Sequence, residues 1–375
     1  MLHIACNRGK SGTPERLATK ILRGVGTGKQ TRKTIFKTGK AMTISIKAAM
    51  VAAGVAAGSF ATAQADTIRL STTVAETSNW VAAANKFKEL LEERSDGAHT
   101  VEVYPSGTLV GGNDRVELEM AQAGAVDIIM KSTPWLSQII GDFMVVSMPW
   151  IFPDTDAAMA VMDGPVGQRL SADLAKTGVE PLAWGSGSFF QLYTNPGPIE
   201  TPDDIKGVKI RTPGLDLYLD SWSSIGAVPV AMSFAEVFTA LQAGAIDGGI
   251  SPIPLIYASR FFEVSKNIAI INFSFEAIGM LGSTTALARF SEDDRELIRQ
   301  AAKDAMLFQR QLAEEEEAEL AAKMEAEGVI IQTPSDEAMA DFKLRVQPVY
   351  DAFRSEIGEE LVSEVEAEVA KLSSN

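Results

Sequence analysis

From residue 66 onward, apolar positions switch between a period of two and a helical period. Ile68 and Leu70 face one way along a predicted strand over 67–72. Ser78 then caps a helix whose apolar stripe is Trp80, Ala83, Ala84, Phe87, Leu90 and Leu91, ending near Gly97. Val101 and Val103 alternate in a second strand closed by Tyr104-Pro105-Ser106-Gly107. A short helix over 114–123 and a strand over 126–130 follow. Alternation of strands and helices at this spacing predicts an α/β architecture.

The pattern recurs 120 residues on. Gln122-Ala123-Gly124-Ala125-Val126-Asp127 is matched by Gln242-Ala243-Gly244-Ala245-Ile246-Asp247. In each copy a helix ends on Gly, and the chain re-enters a strand through a β-branched residue and Asp. Generic junction chemistry explains such a match, as do two similarly built α/β domains. Between the copies, Thr201-Pro202-Asp203-Asp204 starts a brief helix that Lys206-Gly207 stops before a strand over 208–211. Ser291-Glu292-Asp293-Asp294 caps a much longer helix running to about Gly328, its acidic run over 314–317 read as a solvated face. Thr333-Pro334-Ser335-Asp336 starts another helix, and the chain ends in acidic helical sequence. No low-complexity tether divides 66–375, so two domains would be joined by crossing segments.

The net charge of −15 hides a split. Residues 1–65 carry eleven basic residues against the single acid Glu15, leaving the other 310 residues at −25. A body this acidic repels phosphate backbones, so no nucleic-acid partner is expected. At the front, Lys47 precedes an apolar run over 48–60 and then Ala63-Gln64-Ala65, the order of a secretory signal peptide. Cleavage is expected after Ala65, with Met42 an alternative start, so 1–65 is read as N-terminal extension plus signal peptide. Gly24-Val25-Gly26-Thr27-Gly28-Lys29 lacks the spacing and preceding strand of a phosphate loop.

Chemistry is sparse. Cys6 is the sole cysteine, and His3 and His99 are the two histidines, so disulfides and Cys/His metal clusters are excluded beyond residue 6. A catalytic triad would require His99, which the polar stretch Asp96-Gly97-Ala98-His99 predicts to be an exposed loop residue. No nucleophile elbow, zinc-binding His-Glu-x-x-His or dinucleotide fingerprint occurs after residue 65. No enzymatic activity and no cofactor are expected. Arg211 stands out because it ends a predicted strand and meets Thr212-Pro213-Gly214 at once. The carboxyl ends of strands are where α/β proteins place ligands, and a guanidinium grips a carboxylate through two parallel hydrogen bonds. An arginine at a strand end is also an ordinary surface residue, and the pattern alone does not separate the two.

At these residues the chain resembles a known family. Ile199-x-x-Pro202-x-Asp204-Ile205-Lys206-Gly207-Val208-Lys209-Ile210-Arg211-x-Pro213 is similar to a segment of the extracytoplasmic solute receptors of TRAP transporters, the DctP family. So are Gly226-Ala227-x-Pro229-Val230-x-Met232-Ser233-Phe234-x-Glu236-Val237 and Gln242-x-Gly244-Ala245-Ile246-Asp247-Gly248. Tyr104-Pro105-x-Gly107-x-Leu109 with Asp114, and Met148-Pro149-Trp150, resemble its N-terminal motifs. The resemblance covers essentially all of 66–375.

It implies a two-domain periplasmic binding protein fold with a long domain-spanning helix. The expected division is 66–188 with 277–315 in domain I, and 189–276 with 316–375 in domain II. It also implies a periplasmic solute-binding component that captures a small organic anion, C4-dicarboxylates and keto acids included, by cleft closure. The partners implied are the small and large integral-membrane subunits of a TRAP permease. By resemblance Arg211 binds the substrate carboxylate, Gln191 stands where some members have a second arginine, and Ser251 stands where they have asparagine. Thr73, Asn79, Asp114, Lys131 and Ser132 would form the N-domain wall, with Trp80 and Trp135 nearby and Lys131 or Lys209 as sources of a second positive charge. A receptor feeding a signalling ectodomain and an exported enzyme are the alternatives.

Overall fold

The computed structural model describes residues 66–372; the signal peptide and cleavage site expected within 1–65 lie outside the described residues. The strands are β1 (Asp66–Ser71), β2 (His99–Tyr104), β3 (Ile128–Ser132), β4 (Val179–Phe189), β5 (Gln191–Thr194) and β6 (Lys209–Thr212). They continue as β7 (Val228–Ala231), β8 (Gly248–Ser251), β9 (Asn267–Ala269), β10 (Phe275–Ser283) and β11 (Ile330–Gln332). They form two sheets, ordered β2-β1-β3-β10-β4 and β11-β9-β5-β8-β6-β7. Each sheet has one reversed strand, β10 in the first and β5 in the second. These are the strands at which the chain crosses between sheets.

The repeated junction is structural. Gly124 and Gly244 both take left-handed conformations, at φ +75° and +68°. The aspartate that follows then holds the start of the neighbouring parallel strand. Asp127 accepts from Arg69 N–H through Oδ2 (2.7 Å) and donates its own N–H to Arg69 O; Asp247 does the same with Lys209 (2.9 Å). One junction serves each sheet, so the six-residue match marks two similarly built α/β units rather than coincidence.

Two strand connections cross from sheet to sheet. β4 passes into β5 through Phe190, and β9 returns to β10 through 270–274. The two crossings are hydrogen-bonded to each other, Phe190 N–H to Ser274 O at 2.9 Å and Phe273 N–H to Phe190 O at 3.0 Å. Ser188 (φ +72°) and Asn272 (φ +44°) flank them in the left-handed region, a strained setting for residues with a Cβ. Phe189, Phe190, Phe273 and Phe275 bury their rings here, sealing the crossing from water.

The long helix is Glu292–Ala326, capped by Ser291 accepting from Asp294 N–H. At 1.5 Å per residue it is about 50 Å long. Its first part packs on helix Asn79–Arg94 and β4, and its later part on helix Ile253–Ala258 and β11, so it touches both sheets. Gln309, fully buried, locks it to β4 by accepting from Ser186 N–H (2.9 Å) and donating to Ser186 O (2.7 Å). Gly185 makes this approach possible, because a Cβ there would overlap Gln309 Oε1 and Met306 Cε. The acidic run is not uniformly solvated. Glu314 and Glu315 are exposed, but Glu316 bonds Asn79 and Glu317 bonds Ser188, and burial raises the pKa of both.

Helix Asp336–Ile357 packs on Asp216–Ile225 of the second unit. The last helix, Glu359–Leu372, turns back onto Thr155–Asp163 and Pro165–Ala175 of the first. The C-terminal segment thus packs on helices that accompany both sheets. His99 also differs from expectation. It opens β2, is 5% exposed, and shares a hydrogen bond of 3.0 Å with Asp294 Oδ1. No described helix is long and apolar enough to cross a membrane.

Candidate functional site

The carboxyl ends of the parallel strands converge on one cavity. Thr73 follows β1, Lys131 and Ser132 end β3, Arg211 lies near the end of β6, Met232 follows β7 and Ser251 ends β8. Each terminus points a side chain into the space between the two sheets, as in other open α/β sheets. The cavity has a volume of about 570 Å³, room for a small organic molecule.

Six of the eight candidate residues line it: Thr73, Asp114, Lys131, Ser132, Arg211 and Ser251, with Trp80 and Trp135 beside them. Arg211 is 5% exposed. It donates from both Nε (3.1 Å) and Nη2 (2.9 Å) to the carbonyl of Met232, and its Cζ lies 5.6 Å from the centre of the Phe234 ring. The backbone thereby fixes the plane of the fork while using only part of its donor set. Burial lowers the guanidinium's pKa, while Tyr193, Glu276 and Asp114 pull it back up. The group stays protonated all the same.

Lys131 does not bring a free second charge. Its ammonium, 2% exposed, pairs with Asp114 and with Glu117 Oε2 (2.6 Å), and sits 4.8 Å from the Trp135 ring centre. Thr73 Oγ1 donates to Asp114 Oδ1 (2.9 Å), and Ser71 donates to Glu117. One ammonium against two carboxylates leaves this wall net negative. Lys209 is exposed and does not line the cavity. Arg115 does, but it is largely solvent-exposed and paired with Glu119 at 3.2 Å. Arg211 is therefore the one lining cation, among the described residues, without a carboxylate within 4.0 Å.

Two candidates lie elsewhere. Gln191 is fully buried at the strand crossing, where Oε1 accepts from Ile271 N–H (2.9 Å) and Asn272 N–H (3.0 Å) and Nε2 donates to Asn272 Oδ1 (2.7 Å). Its amide is engaged by the backbone and the Asn272 side chain at the crossing, and it does not line the cavity. Asn79, at the start of helix Asn79–Arg94, is bonded to Glu316 of the long helix and is likewise off the cavity wall.

The sequence reading missed Glu276, which lines the cavity from β10 and is 4% exposed. Burial pushes its carboxyl up to about 8, against a hydrogen bond from Ser132 and the charge of Arg211. The available signal was the lone acid within the apolar strand Phe275-Glu276-Ala277-Ile278-Gly279-Met280-Leu281.

Known solute-binding proteins share this chain's sequence pattern and fold. The C4-dicarboxylate-binding protein DctB of Bacillus subtilis is 30% identical over 298 residues, covering 79% of this chain and 85% of that protein. The sugar acid binding protein DctPAm of Advenella mimigardefordensis, solved with galactonate, superposes with a TM-score of 0.79 at 27% identity, covering 82% of this chain and 98% of that one. A TRAP periplasmic solute-binding protein of Sulfurospirillum deleyianum, solved with succinate, gives 0.77 at 28% identity, covering 80% and 98%. The family model for bacterial extracellular solute-binding proteins, family 7, matches residues 70–356, and this chain belongs to that family, DctP.

Proposed function

We propose that the protein captures a small organic carboxylate in the periplasm and hands it to the membrane subunits of a TRAP-type transporter, binding its ligand without turning it over. The observation that carries this reading is the Arg211 guanidinium: buried, held in plane by Met232 O, and without a carboxylate within 4.0 Å among the described residues. A buried cation without a counter-ion is costly, and a ligand carboxylate supplies one through two charge-assisted hydrogen bonds. Solved relatives holding galactonate and succinate support the same chemistry.

In this reading 66–188 with 277–315 closes on 189–276 with 316–358 about the crossings at Phe190 and 270–274, while the last helix rides with the first body. Two contacts bridge the bodies at the cleft. Ser233 Oγ donates to Gly112 O and Thr77 Oγ1 to Ala258 O, each at 3.3 Å. Closure would bury the ligand among Arg211, Ser251, Thr73, Asp114, Lys131 and Ser132.

The test is a thermal-shift screen of small carboxylates, keto acids and sulfonates, followed by calorimetry of each hit. Ligand binding raises the melting temperature by mass action. Hits confined to carboxylates, with no product formed on long incubation, are expected. Turnover of a hit, or a screen in which neutral sugars bind and acids do not, would overturn the reading.

A further inference from the structure

The cavity wall contains a carboxyl group of which one oxygen, Glu276 Oε2, has no hydrogen-bond partner among the described residues. Glu276 faces Ser188 across the β10–β4 ladder, at a register shift between Glu276 and Ala277 that re-aims the strand. Gly187 makes room for it, since a Cβ there would come within 2.8 Å of Glu276 Cγ and 2.9 Å of its Oε2. The side chain packs into the space this glycine leaves while its residue also lines the cavity, and its buried Oε2 has no hydrogen-bond partner among the described residues. Arg211 is near enough for its charge to act on Glu276, yet no ion pair within 4.0 Å joins them. Buried polar groups are nearly always satisfied, so an orphan carboxyl oxygen on a cavity-lining residue points to a partner on the ligand.

Resting on the carboxylate reading above, we propose that Glu276 is a specificity-determining residue. It hydrogen-bonds an alcohol oxygen of a monocarboxylate whose acid group sits on Arg211, and it disfavours any ligand that would bring a second carboxylate to that place. The charges around it agree. Among the described residues, Arg211 from β6 is the one cation lining the cavity without a carboxylate partner, and the Asp114–Lys131–Glu117 cluster on the opposite wall carries one positive group against two acids. Glu317 on the long helix approaches from behind through Ser188. A hydroxyl can donate to Glu276 in either protonation state, and can also accept from its protonated form. A second carboxylate can bond only to the protonated form, and it meets like charge once Glu276 ionises.

Three four-carbon acids separate these cases: D-erythronate carries one carboxylate and hydroxyls, butyrate one carboxylate and no hydroxyl, succinate two carboxylates. Calorimetry at pH 7 should rank D-erythronate well above the other two. Glu276→Leu should weaken D-erythronate at least tenfold while leaving butyrate within about twofold. Glu276→Gln, which keeps a donor and an acceptor in the same volume, should hold D-erythronate within about threefold and bind succinate more tightly than the parent does. Between pH 7 and 9 succinate affinity should fall in the parent and stay level in Glu276→Gln. Circular dichroism melts establish that each variant is folded, and the Gln variant decides the matter if the Leu variant is not.

Equal losses for all three acids in the variants would make Glu276 a packing residue, and no change would make it a bystander; either overturns the proposal. If Arg211→Ala leaves the affinities unaltered, or the parent binds none of the acids, the carboxylate reading itself fails and takes this one with it. Normal dependence on Arg211 combined with a parent preference for succinate overturns the Glu276 proposal alone.

Discussion

Arg211 is bound to its own second unit through one atom, the carbonyl of Met232, which accepts from both Nε and Nη2 at 3.1 and 2.9 Å. This leaves Nη1 and the outer edge of the fork for a ligand. It also ties the arginine's orientation to the backbone just after β7 rather than to another mobile side chain. A carboxylate that docks here finds its donors already aimed, so little ordering entropy opposes binding.

We therefore expect Arg211→Ala to weaken binding of any carboxylate found in a screen by at least about 2 kcal/mol, roughly thirtyfold. Arg211→Lys should recover part of this, because an ammonium keeps the charge but cannot bond Met232 O and a carboxylate in the same plane. Calorimetry on folded variants decides it. Equal affinity for parent and Ala variant would return Arg211 to an ordinary strand-end residue.

Gln191 should behave in the opposite way. Its Oε1 satisfies two backbone N–H groups at the crossing, and Gln191→Ala would orphan both in a buried setting. Each buried unsatisfied donor costs about 1–3 kcal/mol, so unfolding free energy should fall by about 2 kcal/mol or more. Urea denaturation measures this directly. A large loss of affinity with unchanged stability would instead put Gln191 on the ligand.

What could be read from the sequence divides by the distance over which each residue acts. The strands expected over 67–72, 126–130 and 208–211, several helix caps and the long helix follow from local periodicity and capping, with bounds one or two residues from those expected, as with β6 at Lys209–Thr212 against 208–211. Arg211 was legible because its strand end and the Pro-Gly turn after it are contiguous. The roles of Gln191, Asn79 and Lys131 were not, because they are set by partners distant in sequence: Asn272 for Gln191, Glu316 for Asn79, and Asp114 with Glu117 for Lys131. A family resemblance aligns such residues to positions, but their hydrogen bonds depend on the side chains that face them. Glu276 was hidden for another reason. Its strand reads as core, and its setting comes from the register shift, from the space Gly187 leaves for its side chain and from its place on the cavity wall.

Lys131 illustrates the energetic consequence. With its ammonium 2% exposed between Asp114 and Glu117, Lys131→Met would leave two carboxylates facing each other in a largely dry wall. Breaking a buried pair by removing one partner costs about 3–5 kcal/mol. The variant should lose that much in chemical denaturation at pH 7. Full stability at pH 7 would show the cluster to be better hydrated than its burial suggests.

Glu276 carries a pH signature of its own. Its carboxyl stands near 8 in the folded protein against an ordinary 4.5, raised by burial. Between those values the native state holds a proton that the unfolded chain has released, so stability must fall as pH rises through this window and level off above about 8. The slope is at most about 1.4 kcal/mol per pH unit. Glu276→Gln cannot ionise, so its stability relative to the parent should grow from pH 5 to pH 8. Urea melts at three pH values test it, and parallel curves would mean that Glu276 ionises in the fold with no penalty.

Closure should be sensitive to one glycine at the cleft mouth. Gly112 has φ +76°, and its carbonyl accepts from Ser233 across the cleft. A Cβ at this position would lie 2.9 Å from the Ala235 Cβ on the other body, well inside van der Waals contact. The left-handed conformation costs a residue with a side chain about 1–2 kcal/mol, but that cost falls on the open and closed forms alike if the loop keeps its shape. The clash with Ala235 exists only when the two bodies meet. Gly112→Ala should therefore act as a wedge, weakening affinity by about 1 kcal/mol, roughly fivefold, beyond any change in global stability. Ser233→Ala, which removes a single long hydrogen bond, should cost less. Small-angle scattering at saturating ligand should give a larger radius of gyration for Gly112→Ala than for the parent, with the ligand-free curves alike. If the variant binds and contracts as the parent does, the Gly112–Ala235 contact plays no part in closing the cleft.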